Sequence, residues 1–151
     1  MPQLLPGRLL FLTAGSGITP VAAMLRSLAA HGEMPDVVLV HSAPTPQDVI
    51  FGAELRALTA RFPRLRLYER HTRSGGRLTM AQLRGICRDW RQRHVWACGP
   101  ACMLDGAERH WRRAGIGDRL HVERFRPAVT SGDSGGRVTF TVSGRQADAG
   151  G

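Results

Sequence analysis

A glycine-containing segment, Ala14 to Pro20, has the composition of a loop that binds phosphate. Gly15 and Gly17 have no Cβ, so their backbone could approach a pyrophosphate closely, and the N–H groups of a following helix would face the anion. We expect Thr19 to cap that helix and Pro20 to occupy its first position. A lone pair of glycines is more often an ordinary tight turn, and Pro20 replaces the third glycine of the standard dinucleotide motif. The strand and helix on either side favour phosphate binding.

A second segment of chemical interest runs from Cys98 to Cys102 and has the sequence CGPAC. It also follows an apolar run and precedes a helical pattern, which in an open parallel sheet places it at the edge where ligands bind. Three residues separate the two thiols, whereas a redox dithiol motif has two, so dithiol chemistry is disfavoured. A free cysteine is most often a small buried hydrophobe, and we expect that role for Cys102.

Short apolar runs alternate with longer segments of helical periodicity along the chain. The apolar runs, whose lengths are typical of buried strands, are Leu9 to Thr13, Val37 to His41, Leu65 to Glu69, Val95 to Cys98 and Leu120 to Arg124. The helical segments are Pro20 to Ala30, Val49 to Arg61, Met80 to Arg91 and Cys102 to Ala114. Because strand and helix alternate, we predict an α/β fold, a doubly wound parallel five-stranded sheet with helices on both faces.

The composition is that of a globular protein with a core. Of 151 residues, 42% are hydrophobic, and no apolar run reaches the roughly 20 residues of a membrane span. The N-terminus lacks the pattern of a secretory leader, so we expect a cytoplasmic protein without a transmembrane segment. The formal net charge is +9, but every basic residue is arginine and the arginines are scattered. We therefore expect no nucleic-acid partner, and keep an anionic ligand or acidic protein as the alternative.

The cysteines do not have the spacing of a metal site. Cys87, Cys98 and Cys102 are odd in number and lack a repeated ligand interval, so neither a disulfide framework nor a zinc or iron-sulfur centre is indicated. The histidines share no motif with them. We expect no bound metal and free thiols.

The chain changes character after Phe125. Residues 126–136 are rich in Gly, Pro and Ser and lack periodicity, whereas Arg137 to Val142 is prone to form a strand and is followed by a plausible turn, Ser143-Gly144. We therefore divide the chain into a nucleotide-binding domain at 1–125, a linker at 126–136 and the beginning of another domain at 137–151.

Four motifs, in their order and spacing, together resemble the ferredoxin-NADP reductase superfamily over about residues 8–125. They are Gly15 to Pro20 after the first strand, His71-Thr72-Arg73 with Gly76-Arg77 after the third, Cys98-Gly99-Pro100 with Met103 after the fourth, and Glu123-Arg124-Phe125 at the end of the fifth. The resemblance implies the Rossmann-like NAD(P)-binding fold of that superfamily. It also implies that NAD(P)H gives a hydride to a flavin, from which electrons reach an iron-sulfur centre that serves an oxygenase or desaturase.

The resemblance assigns roles to individual residues. It places the glycine loop on the pyrophosphate, and it places Cys98 and Glu123 where they orient the nicotinamide ring. Phe125 would cover the flavin until the nicotinamide displaces it, so these three residues are the catalytic candidates. The expected cofactor-binding residues are Gly15, Ser16, Gly17, Ile18, Thr19, Pro20, His41, Ser42, Thr72, Arg73, Arg77, Cys98, Gly99, Pro100 and Met103.

The choice of nicotinamide cofactor follows from the charge of its 2′ substituent. A 2′-phosphate is best bound by arginine forks and hydroxyl donors, whereas a 2′-hydroxyl favours a carboxylate. Arg73 and Arg77, with Thr72 and the pair His41-Ser42, could form a phosphate pocket, and no acidic residue ends the second strand. We predict NADPH, with NADH as second choice; the alternative is that both arginines are solvated loop charges.

We expect the other cofactors of this superfamily to bind to a longer parent protein and not to this chain. The flavin domain of this superfamily carries an Arg-x-Tyr-Ser or Arg-x-Tyr-Thr motif, and the only similar segment, Arg66 to Glu69, lacks the hydroxyl residue. Residues 136–144 resemble the opening hairpin of a plant-type [2Fe-2S] ferredoxin domain, but none of the cysteines has the cluster spacing. We expect FAD and [2Fe-2S] in flavin and ferredoxin domains of the parent or in separate partners, not on this chain. A stand-alone nucleotide-binding or regulatory module without turnover is the alternative.

Overall fold

The computed structural model describes residues 6–125 and the backbone of two short strands at 137–139 and 146–148. Five parallel strands form one sheet in the order β3-β2-β1-β4-β5. Their bounds are Arg8–Ala14 (β1), Asp36–Ala43 (β2), Leu65–His71 (β3), His94–Cys98 (β4) and Leu120–Glu123 (β5). The predicted five-stranded α/β sheet is confirmed.

Helices cover both faces of this sheet, as predicted. They are α1 (Ile18–His31), α2 (Gly52–Arg61), the single turn α3 (Thr72–Gly75), α4 (Met80–Ile86) and α5 (Ala101–Arg113). Helices α1 and α2 bury their apolar sides on one face; central residues of that core are Leu9, Phe11, Leu25, Leu39 and Leu55. Helices α4 and α5 cover the other; central residues there are Leu10, Leu12, Leu83, Leu104 and Trp111. Successive residues of β1 point to opposite faces of the sheet, so this strand contributes to both cores. Burial of each leucine stabilises the fold by about 2 kcal/mol.

Local backbone chemistry sets helix ends that differ from the predicted ones. Helix α1 begins at Ile18 with Gly17 at its N-cap, so the predicted capping role of Thr19 is wrong. It ends at Gly32, whose φ of +70° suits glycine. Phe51, with φ +58°, delays the start of α2. Helix α4 has the capping box that Thr79 and Gln82 form.

A buried arginine fastens the amino edge of the sheet. Arg93 is only 1% exposed. Its guanidinium donates to the Asp89 carboxylate at 2.8 and 2.9 Å and to the Asp36 carboxylate at 2.8 and 3.1 Å. It also donates to the backbone carbonyls of Leu9 and Asp36 at 3.1 and 3.0 Å. Burial disfavours the charge, but the two carboxylates outweigh it and raise the pKa of Arg93. One side chain therefore links β1 and β2 to the segment before β4.

The C-terminal segment contains a pair of antiparallel strands, β6 (Arg137–Thr139) and β7 (Gln146–Asp148). Strand β6 lies within the run predicted to form a strand, and the predicted turn at Ser143-Gly144 falls outside the described residues. The division at 125 and 136 remains a prediction. In the part of the chain that the structure describes, no helix is long and apolar enough to cross a membrane.

Candidate nucleotide-binding site

The strand order reverses between β1 and β4, which is the topological switch point of the sheet, and a cleft opens at their carboxyl ends. The chain leaves β1 through α1 toward β2 on one side, and leaves β4 through α5 toward β5 on the other. Ligands of open α/β sheets bind at the carboxyl ends of the strands at such a point. The cleft has a volume of about 640 Å³, which lies within the range of small-molecule sites. It is lined by Ala14, Gly15, Ser16, Gly17, Ser42, Ala43, Pro44, Thr72, Arg77, Leu78, Gly99, Pro100, Cys102, Met103 and Phe125.

The two glycine-containing motifs of the sequence interlock at the base of this cleft. A Cβ built on Gly17 would lie 2.2 Å from the carbonyl oxygen of Cys98 and 2.9 Å from the backbone nitrogen of Gly99. Gly99 in turn packs against Ala14, whose Cβ would be 3.2 Å from a Cβ at position 99. Only glycine allows these backbones to approach so closely, so the loop after β1 and the loop after β4 form a single binding surface.

The glycine loop presents the start of α1 to the cleft. Gly15 has φ +54°, a conformation that favours glycine, and Gly15–Gly17 forms one turn of 3₁₀ helix before α1. No side chain caps the N-terminus of α1, and its first turn carries no acidic residue. The Ile18 N–H donates back to the carbonyls of Gly15 and Ser16, and Pro20 has no N–H. What favours an anion here is the positive end of the helix dipole, which neither a side-chain cap nor an acidic residue opposes.

Three residues predicted from the same loop do not line the cleft. Ile18 is fully buried in the core beside β1, Thr19 is exposed, and Pro20 is half-buried on the first turn of α1. Their positions follow from the helix starting at Ile18, which turns their side chains away from the loop surface.

Cys98 lies at the other side of the interlocked loops. Its side chain is buried, and burial raises the pKa of its thiol, with the Glu123 carboxylate raising it further. Cys98 and Glu123 are register partners on β4 and β5. The thiol therefore stays protonated at neutral pH, which disfavours a nucleophile. Cys98 is not among the residues that line the cleft.

Cys102 is exposed on the first turn of α5 and lines the cleft. The expectation that it is a buried hydrophobe is wrong, because the first turn of α5 faces the ligand edge of the sheet and not the core. Its sulfur lies 3.6 Å from Nη1 of Arg77.

The far end of the cleft carries three of the five residues predicted to select the 2′ substituent, and Arg73 and His41 are not among its lining residues. Ser42, Thr72 and Arg77 line it. The Arg73 side chain is exposed, and its backbone N–H donates to the Pro44 carbonyl at 3.0 Å. Ser42, Ala43 and Pro44 end and follow β2, so no carboxylate lies at that strand end.

His41 lies beneath this surface. It is fully buried, and its Nδ1 is 2.8 Å from Oγ1 of Thr13 on the neighbouring strand. Burial lowers the pKa of His41, against a smaller opposing effect of Glu69. His41 is therefore a neutral ring inside the sheet, and the structure does not bring it to the cleft.

The aromatic and acidic residues after β5 differ in position. Phe125 is 54% exposed and lines the cleft. Glu123 is exposed and does not line it, although it pairs in register with Cys98. Five lining residues were absent from the prediction, namely Ala14, Ala43, Pro44, Leu78 and Cys102. Most directly adjoin predicted residues at strand ends, and the rule that ligands bind at those ends could have found them.

Among the described residues, no group of three or more His, Cys, Asp or Glu side chains is arranged to hold a metal ion.

The parallel sheet, the helices on both faces and the glycine loop at the switch point define a doubly wound nucleotide-binding domain. The family described as oxidoreductase NAD-binding domain matches residues 11–109. The chain belongs to this family, the nucleotide-binding domain of reductases of the ferredoxin-NADP reductase type.

Two curated relatives and one solved structure illustrate the similarity. The chain is 50% identical over 150 residues to an NADPH oxidoreductase of Mycobacterium tuberculosis, which covers 99% of this chain and 40% of the relative. It is 35% identical over 128 residues to the ferredoxin reductase component of 3-ketosteroid-9-alpha-monooxygenase of Mycolicibacterium smegmatis, covering 83% and 36%. The ferredoxin-NADP+ reductase of Plasmodium falciparum has the same fold, with a TM-score of 0.63 at 13% identity, covering 78% of this chain and 52% of that one. The chain thus spans about two fifths of the first relative's length.

Proposed function

We propose that this chain binds NADPH as the hydride donor of a flavin-dependent electron-transfer reductase. The observation that carries the proposal is the cleft in which Gly17 lies against the backbone of Cys98 and Gly99. This contact brings a phosphate-binding loop and a nicotinamide-side loop to one surface, which a dinucleotide with a phosphate centre and a reactive ring requires.

The pyrophosphate is assigned to the start of α1. Ser16 and Gly17 line the cleft there, and backbone N–H groups of the Gly15–Gly17 turn would donate to phosphate oxygens. The helix dipole adds about 0.3–1 kcal/mol for an anion at this position. With no acidic residue in the first turn, no charge opposes that attraction.

The nicotinamide is assigned to the opposite side of the same contact. Gly99 and Pro100 line the cleft and would form the wall against the ring. The protonated Cys98 and its register partner Glu123 do not line the cleft, and they would set the ring's orientation through the loop that carries Gly99. When bound in a companion domain, the flavin supplies an acceptor that takes a hydride and releases electrons singly. The chain's residues would hold the nicotinamide against that acceptor and would exclude water from the junction. Phe125, exposed at the rim of the cleft, would cover the junction before the nicotinamide enters.

The choice of NADPH rests on the far end of the cleft. Arg77 supplies a cation, and Thr72 and Ser42 supply hydroxyl donors, where no carboxylate favours a 2′-hydroxyl. The relative that is 50% identical is an NADPH oxidoreductase. Arg73 would contribute from the exposed side of the loop.

The downstream partner is proposed from the relatives' roles. The name of the monooxygenase reductase component supports an oxygenase-type acceptor. The [2Fe-2S] centre through which this acceptor would receive electrons is proposed only from the resemblance of residues 136–144 to the opening hairpin of a ferredoxin domain. In this arrangement, flavin and iron-sulfur domains of the same chain or of separate partners complete the enzyme.

Calorimetric titration with 2′,5′-ADP beside 5′-AMP tests the nucleotide assignment, because the two ligands differ only in the 2′-phosphate. We expect 2′,5′-ADP to bind at least about tenfold more tightly, a difference typical of one charge-assisted contact. Arg77→Gln should remove most of this preference, while Arg64→Gln, an exposed arginine on a distant loop, should retain it. Equal binding of the two ligands would indicate that the cofactor is NADH and not NADPH. Binding of neither would contradict the assignment of the cleft.

A further inference from the structure

One side chain holds the loop that carries the phosphate-selecting residues. Arg70 is half-buried near the end of β3 and pairs in register with Ser42, which lines the cleft. Its Nε donates to the Gly76 carbonyl at 2.9 Å, and its Nη2 donates to the Gly75 carbonyl. The guanidinium therefore binds the last two carbonyl groups of the turn that follows β3.

Those carbonyl groups lie at the point where the chain turns toward Arg77. Gly76 has φ +69°, and its N–H donates to the Thr72 carbonyl at 3.0 Å, which closes the single turn α3. Carbonyls at a helix end carry partial negative charge and attract cations. The next residue, Arg77, lines the cleft. The orientation of its backbone depends on the two peptide groups that Arg70 holds.

The other side of the same loop is fixed by the backbone alone. The Arg73 N–H donates to the Pro44 carbonyl at 3.0 Å, which joins the loop to the end of β2. The Thr72-Arg73 end of the loop is thus anchored by a backbone hydrogen bond to Pro44, the residue after β2, whereas the Gly75-Gly76 end is anchored by the Arg70 side chain. Removing Arg70 would leave this second end without its side-chain anchor.

We propose that Arg70 is a positioning residue for nucleotide selectivity: it keeps Thr72 and Arg77 in the arrangement that recognises a 2′-phosphate. The inference rests on the proposed NADPH function. Arg70 itself does not line the cleft, and its guanidinium is engaged by two backbone carbonyls. Its effect is therefore transmitted through the loop and not by direct contact with the ligand.

The expected effect follows from population arithmetic. When a binding-competent loop is populated for only a fraction of the time, the apparent dissociation constant rises by the inverse of that fraction. If loss of Arg70 lowers the competent population to about one tenth, 2′,5′-ADP binds about tenfold more weakly. 5′-AMP lacks the 2′-phosphate, so its affinity should stay within about twofold.

The first test compares Arg70→Gln with Arg66→Gln in the full chain by titration with both nucleotides. Arg66 is the matched control because it lies on the same strand and on the same face of the sheet. Its guanidinium donates to the Asp36 carboxylate at 3.1 Å, at the amino end of the strands and so away from the cleft. We expect Arg70→Gln to lower the ratio of the two affinities about tenfold and Arg66→Gln to leave it unchanged. Thermal unfolding of each variant verifies that it is folded.

The second test separates positioning from charge. Gly75→Ala keeps every charge, but its Cβ would lie 3.1 Å from Cζ of Arg70 and 3.2 Å from Nη1, so the guanidinium must shift by a few tenths of an ångström away from the Gly75 and Gly76 carbonyls. Gly75 is not in the left-handed region, so alanine is compatible with its backbone. We expect Gly75→Ala to lower the ratio of the affinities for 2′,5′-ADP and 5′-AMP. Arg70→Lys retains the charge but not the forked guanidinium, so its ratio should lie between those of Arg70→Gln and the wild type.

Each outcome decides the matter. An unchanged ratio in Arg70→Gln, or an equal loss for both nucleotides, overturns the inference while the NADPH assignment stands. An unaltered ratio in both Gly75→Ala and Arg70→Lys would assign Arg70 a direct charge effect and also overturn it. If the wild-type chain shows no preference for 2′,5′-ADP, the proposed NADPH function itself fails. Should Arg70→Gln not fold, Gly75→Ala carries the test.

Discussion

Gly17→Ala tests the contact on which the cleft depends. The added Cβ would meet the Cys98 carbonyl oxygen at 2.2 Å, its carbon at 2.5 Å and the Gly99 nitrogen at 2.9 Å. All three are backbone atoms of a central strand end, so no side chain can rotate away. Restoring ordinary contact at 3.4 Å requires the two loops to separate by about 1 Å, and packed interiors resist such displacements.

The magnitude follows from overpacking in rigid interiors. Such substitutions cost about 1–3 kcal/mol, and this contact is at the severe end because only backbone can move. We expect the free energy of unfolding to fall by about 2–3 kcal/mol, which lowers the melting temperature by roughly 5–10 °C in a chain of this size. Because both loops of the cleft shift, affinity for 2′,5′-ADP should fall more than about tenfold, a loss of 1.4 kcal/mol or more.

The assay is thermal and denaturant unfolding of each variant, followed by titration of the folded protein with 2′,5′-ADP. Gly106→Ala is the matched control because a Cβ at that helical position meets nothing within 4 Å. It should stabilise the chain by about 0.5–1 kcal/mol, since alanine favours a helix interior, and leave affinity unchanged. A Gly17→Ala protein as stable as wild type that binds within twofold would refute the interlocking of the two loops.

Three further predictions concern thiols and ion pairs. In a full-length parent, Cys98→Ser should slow hydride transfer, as measured by stopped-flow absorbance, with little change in nucleotide affinity. Weaker nucleotide binding without slower transfer would contradict the orienting role of Cys98. Cys102 should react with a thiol reagent before the other cysteines, because it is exposed, and 2′,5′-ADP should protect it, as mass spectrometry would show; unprotected labelling would place the ligand elsewhere. Burial raises the pKa of Asp36, but hydrogen bonds from Arg93 and Arg66 outweigh this effect. The hydrogen bond from Arg93 likewise lowers the pKa of Asp89. In the folded protein, both carboxylates therefore have pKa values below the ordinary 3.8. The stability from these pairs is therefore present above about pH 4 and lost as pH falls below it. Denaturant unfolding at several pH values should show that the free energy of unfolding falls less steeply with acidification in Asp36→Asn than in the wild type. An equal pH dependence in the two proteins would contradict the ion-pair assignment.

Local sequence patterns determined the elements and the family. Apolar runs of strand length, such as Val37 to His41, predicted β2 because a parallel strand buried on both faces needs apolar side chains throughout. The glycine loop was equally visible, since the conformation at Gly15 and the backbone approach at Gly17 both favour a residue without Cβ. Such requirements are imposed within a few residues, so they appear directly in the sequence.

Helix starts were less predictable because several residues compete for the cap. Thr19 has the side chain of an N-cap, yet α1 starts one residue earlier at Ile18. Ile18 is fully buried and contributes to the core on the α1 side of the sheet. Tertiary burial of that side chain outweighs the small preference of a threonine for the cap position.

Only the tertiary structure decided which motif residues meet the ligand surface. Strand order brings Gly17 against Cys98, although the two are far apart in sequence, and the same order buries His41 beside Thr13. It turns Cys102 outward, where a sequence rule for cysteine expected burial. The position of a side chain at a strand end depends on which strands neighbour it and which helix covers it, and these depend on the packing of the whole sheet.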